Sequence, residues 1–134
     1  MILLYAIAPF IFAILDITWV GYLAHSFYMA NIPFLSGEIR YGYALLFYVF
    51  YSWGVVYFSV APLLNQNSHI RVFAHGFVFG LVAYGVYDVS NLATVADFPL
   101  KIALVDVFWG GVVSGLTALF LFSIHTLLEN KKTA

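Results

Sequence analysis

The 134-residue chain is 64% hydrophobic and 20% aromatic but only 8% charged, with a formal net charge of −1 and a mean hydropathy of +0.99. Soluble domains carry about a quarter charged residues, so an ordinary water-soluble fold is excluded. Five basic residues with no run in the body exclude the footprint that nucleic acid requires, and the absence of cysteine excludes disulfides, thiolate catalysis and thiolate-held clusters.

A helix crosses a bilayer in about 20 apolar residues, so the chain has room for four spans and little else. The expected fold is all-α: an integral membrane four-helix bundle in which residues 1–134 form a single transmembrane domain. The first predicted span is 2–24, with Pro9 inside it and a kink expected there. It lacks a basic n-region and an A-x-A pattern, and reads as a span rather than a signal peptide. Residues 25–42 form the longest connection, scattering Phe27, Tyr28, Met29, Ile32, Phe34, Leu35 and Ile39 among polar residues, as an interfacial segment does. Spans at 43–64, 72–94 and 102–128 follow, joined by the polar turn Asn65 to Arg71 and a short turn containing Asp97 and Pro99. Short links make neighbouring helices antiparallel. Arg71, Lys131 and Lys132 on one side outnumber Arg40 and Lys101 on the other, which orients both termini toward the cytoplasm.

Within these apolar spans lie three carboxylates, Asp16, Asp88 and Asp106. Acidic residues inside a membrane are costly and mark sites. Counting from the helix ends puts them roughly 12, 9 and 8 Å deep, and antiparallel alternation brings those ends to one side of the membrane. The three are therefore expected in one layer of the bundle.

The first and fourth spans repeat a phrase, Asp16-x-x-Trp19 and Asp106-x-x-Trp109, and residues three apart share a helix face, so each indole is expected to screen its own carboxylate. The third span offers Tyr84, Tyr87, Asp88 and Asn91 on one stripe; Tyr41, Tyr48 and Tyr51 face them from the second, with Arg40 as a counter-ion at the rim. The sharp reading is an aromatic-walled ligand-binding pocket of Asp16, Trp19, Tyr48, Tyr84, Tyr87, Asp88, Asn91, Asp106 and Trp109, with Asp16, Asp88 and Asp106 as candidate ligands of a divalent metal. The plain alternative is interhelical glue, worth ~0.6 kcal/mol per polar contact in membranes. Trp53, Tyr5, Tyr22 and Tyr57 are read as interfacial belt residues.

Gly76-x-x-x-Gly80 and Gly111-x-x-x-Gly115 are read as helix-packing positions that let the third helix approach the fourth, with dimerisation as the sharper idea. His69, His75 and His125 fall at the membrane face opposite the aspartates, with His25 alone on the aspartate side. That distribution argues against di-iron and metalloprotease chemistry, and haem held between His75 and His125 is disfavoured relative to interfacial histidines.

The stretches Tyr84-Gly-Val-Tyr-Asp88-Val-Ser-Asn91-Leu-Ala-Thr94 and Val105-Asp106-Val-Phe-Trp109-Gly110, with Asp16-x-x-Trp19, Phe27-Tyr28 and Phe47-Tyr48, resemble a family of small bacterial four-span membrane proteins known only as a domain of unknown function. Phe98, where tryptophan is expected, departs from the pattern. The resemblance implies a polytopic protein of the bacterial inner (cytoplasmic) membrane and brings no reaction with it. Three functions remain open. The pocket binds or transports a small ligand, ion, proton or lipid head group; the protein is a membrane enzyme modifying a lipid or isoprenoid; or it is a non-catalytic subunit in a homo-oligomer or larger membrane complex.

Overall fold

Apolar residues surround the long segments on every side, as suits helices immersed in lipid rather than packed on a soluble core. The computed structural model describes residues 1–32, 40–66 and 68–133, so Phe34, Leu35 and Ile39 of the expected interfacial connection lie outside the described residues. Four helices are long and apolar enough to cross a membrane, Ile2–Leu23, Tyr41–Leu63, His69–Thr94 and Leu100–Lys131, and no strand occurs among the described residues. The molecule is an all-α membrane helical bundle.

Helix α1, Ile2–Thr18, runs through Pro9 and passes into a π-helical turn, Trp19–Leu23, closed by the Ala24 N–H donating to the Trp19 carbonyl at 2.7 Å. Such turns insert an extra residue and often re-aim side chains at functional sites. A short helix, α2, His25–Asn31, follows, where an interfacial segment was expected. Helix α3, Tyr41–Val55, ends in a second π-helical turn, Val56–Val60, and a 3₁₀ turn, Ala61–Leu63. Pro62, with no N–H to place, sits where the ladder tightens. Helix α4, His69–Thr94, starts three residues before the expected boundary at 72, and Arg71 donates to Gln66 Oε1 at 3.0 Å across the preceding turn. Val95 is extended and Asp97 left-handed (φ 57°), reversing the chain into helix α5, Leu100–Thr133.

The α4–α5 pair is the most intimate in the bundle because glycines remove the side chains between them. A Cβ on Gly80 would stand 2.0 Å from the Gly110 carbonyl oxygen, and one on Gly76 would stand 2.7 Å from that of Ser114. Gly111 and Gly115 receive the rings of Phe77 and Phe73. Gly110, which the spacing of the two glycine pairs does not single out, belongs to the same seam and carries the Tyr84 ring on its face.

Two apolar clusters hold the ends. At one end Leu4, Ala8, Val56, Val60, Val72, Leu121 and Phe122 pack together from all four spans. At the other, Ala24, Tyr28 and Ile32 pack with Ile102 and against Trp19, Phe27 and Phe98, fastening α2 over the start of α5. Between them Phe12 of α1, fully buried, meets the rings of Phe47, Tyr48 and Tyr51 of α3 at 4.8 to 5.9 Å. Exposed Val78, Val82, Val86 and Val89 on α4 and Phe10 and Ile14 on α1 form part of the lipid-facing surface.

An acidic, aromatic candidate site

Asp16 is buried on the last turns of α1, only 7% exposed, and accepts two hydrogen bonds from other helices. The Trp109 indole N–H donates to Oδ1 at 3.0 Å and the Tyr48 hydroxyl to Oδ2 at 3.2 Å. Asp106, one turn before Trp109, instead accepts from the Tyr28 hydroxyl of α2. Each Asp-x-x-Trp phrase was expected to screen its own carboxylate; the structure instead pairs each carboxylate with a donor from another helix. Trp109 reaches over to the carboxylate of α1, and Trp19 stacks on Trp109 with ring centroids 4.5 Å apart and planes 12° from parallel. Trp109 shares a helix face with Asp106, and that face turns toward α1, which brings the Asp16 carboxylate within reach of the indole N–H.

These contacts frame a cleft of about 280 Å³ bounded by Asp16, Val20, Tyr28, Ile32, Phe47, Tyr84, Tyr87, Phe98, Asp106 and Trp109. A second, more apolar cleft of about 350 Å³ adjoins it, sharing Phe47, Tyr84, Tyr87 and Asp106 and adding Tyr51 and Ala83. Tyr84 meets Tyr51 edge to face at 5.7 Å, and Tyr51 shares a 2.8 Å hydrogen bond with Ser114, tying the wall to α5. Burial, followed by the hydrogen bond to Asp106, holds the Tyr28 phenol well above its ordinary range, so it stays a donor to that carboxylate.

The remaining expected residues are placed as follows. Tyr48 holds Asp16 from behind and does not line the cleft, while Tyr84 and Tyr87 line both cavities. Trp19 backs the site through its stack on Trp109; its buried N–H, near the Tyr28 phenol, makes no hydrogen bond of normal geometry among the described residues. Asn91 is half-buried and lines neither cavity. Asp88 is fully buried, outside both cavities, yet within electrostatic reach of Asp106. Neither of its oxygens has a hydrogen-bond partner among the described residues. Arg40 is exposed and does not line the cleft.

The donor set does not suit a metal: among the described residues no three of His, Cys, Asp or Glu gather where an ion could be held, so Asp16, Asp88 and Asp106 do not converge as ligands. His125 lines a separate cleft of about 330 Å³ with His69, Thr126 and Glu129, while His75 is exposed. The residues that sequence reasoning left out of the site are Tyr28, Phe47, Val20, Ile32 and Phe98. Phe27-Tyr28 and Phe47-Tyr48 already stood out as paired aromatics; the interfacial reading of residues 25–42 concealed that one of them turns inward.

Fold and cleft together define an integral membrane protein of four spans with an acidic, aromatic recess set into the bundle. The chain belongs to the family described as "Predicted membrane protein (DUF2177)", which it matches over residues 1–123. No curated protein and no solved structure matches it.

Proposed function

We propose that this membrane protein binds a small polar or amphipathic ligand, of the kind a lipid head group presents, in the cleft between Asp16 and Asp106. The observation that carries this reading is a recess of about 280 Å³ among the apolar spans with two carboxylates and six aromatic residues on its wall. Polar groups that served only to join helices would be closed over by their partners, and here they border open volume instead. Sensing and transport both require such a site. An accessory subunit does not, and neither the seam of glycines nor the lipid-facing valines supplies an argument for a partner chain.

The test is an untargeted mass-spectrometric search for molecules retained by protein purified in mild detergent, run beside the Asp16→Asn/Asp106→Asn double variant. Asparagine keeps the shape and the acceptor oxygen. A species held by the parent and depleted in the variant is the expected outcome; identical retained profiles would overturn the proposal.

A further inference from the structure

The chemistry of the walls narrows the ligand. We propose, resting on the binding reading above, that the cleft receives an organic cation, an amine or quaternary ammonium, carried on an apolar chain. Two carboxylates border the recess, and none of the described residues lining it is basic. An anionic head group such as a bare phosphate would meet uncompensated repulsion there, since phosphate sites are built from Arg, Lys and backbone N–H groups. Asp88, buried and within electrostatic reach of Asp106, adds a third acidic group, with neither oxygen hydrogen-bonded among the described residues. A compact metal ion is poorly served, because no three of His, Cys, Asp or Glu gather among the described residues. A diffuse organic cation needs no such set: it is stabilised by ring faces, and Tyr28, Phe47, Tyr84, Tyr87 and Trp109 surround the acidic side chains.

The apolar chain follows from the neighbouring cleft. Its volume of about 350 Å³ adjoins the acidic recess, sharing Phe47, Tyr84, Tyr87 and Asp106, and its remaining wall, Tyr51 and Ala83, carries no charge. Phe47 and Tyr87 are 42% and 62% exposed on helices that face lipid, so the mouth of the recess opens sideways into the bilayer. A head group drawn in there leaves its chain in the groove.

Tryptophan fluorescence of the full chain in nanodiscs of neutral lipid, titrated with amphiphiles of one chain length, tests this. Trp109 and Trp19 form the reporting stack. Dodecyltrimethylammonium is expected to bind about tenfold or more tightly than dodecyl phosphate or dodecyl maltoside, from charge and ring-face attraction together. Tetramethylammonium, which lacks the chain, is expected to bind at least tenfold more weakly than its dodecyl homologue. Asp106→Asn and Tyr87→Leu should each weaken the cation, and Asp97→Asn, on the turn between α4 and α5, should not. Tyr87 is exposed, so its variant probes the cleft without threatening the fold. If all three head groups bind equally, or Asp106→Asn and Tyr87→Leu change nothing, the cationic assignment fails while the ligand site stands. If tetramethylammonium matches its homologue, the chain is refuted. If nothing perturbs the stack, the binding reading itself falls.

Discussion

Replacing Gly80 with alanine inserts one methyl group into the tightest contact of the bundle. Its Cβ would lie 2.0 Å from the Gly110 oxygen, 2.5 Å from the Gly110 carbonyl carbon and 2.6 Å from Ser114 Oγ. A carbon rests against a carbonyl oxygen at roughly 3.3 Å, so α4 and α5 must part by roughly 1.3 Å, and backbone cannot rotate away as a side chain can. Over-packing of this kind costs about 3 kcal/mol, against which alanine returns about 1 kcal/mol of helix propensity. The net loss is about 2 kcal/mol, roughly thirtyfold in the folding equilibrium. Gly85→Ala provides the comparison, because its nearest neighbour is Val107 Cγ1 at 4.0 Å and only the propensity gain applies. Equilibrium unfolding in mixed micelles, followed by circular dichroism, should separate the two variants by about 3 kcal/mol. Equal stability would refute the close backbone approach.

Four further outcomes are expected. Tyr28→Phe removes the donor to Asp106 and leaves a part-buried carboxylate oxygen short of a partner, costing about 1–3 kcal/mol in equilibrium unfolding. Because the Tyr28 phenol is held above its ordinary value of 10.0, its contribution is complete below that pH and is lost as the pH rises past it; stability measured from about pH 8 to about pH 11 should fall more steeply in the parent than in Tyr28→Phe. Trp109→Phe deletes the N–H to Asp16 and should lower stability by about 1–2 kcal/mol while changing the emission of Trp19, with unaltered emission disproving the stack. Asp88→Leu replaces an unpartnered buried carboxyl with an apolar side chain and should raise the unfolding midpoint; a clear fall would mean that Asp88 has a stabilising partner.

Hydropathy and spacing carried the four spans, because membrane helices advertise themselves by length and by the absence of charge. The distance of each aspartate from its helix end was legible for the same reason: a fixed rise per residue converts position into length. Azimuth was not. Whether Asp88 turns toward the cleft depends on the neighbour its helix meets, and Tyr84 and Tyr87 reach the cavity while Asp88 and Asn91, a few residues on, do not. The π-helical turn at Trp19–Leu23 was equally hidden, as no residue type announces it, yet it shifts the register between α1 and the short helix that delivers Tyr28. The reach of Trp109 to Asp16 is a property of facing helices, and a single strand of letters records only each helix with itself.

The most direct measurement is an experimental density map of the protein in lipid nanodiscs, resolved well enough to place side chains. The account predicts Asp16 and Asp106 facing one another's helices across a recess walled by Trp109, Tyr84 and Tyr87, with density beyond the protein inside it. Carboxylates directed toward the acyl chains, or a recess filled by its own side chains, would contradict it.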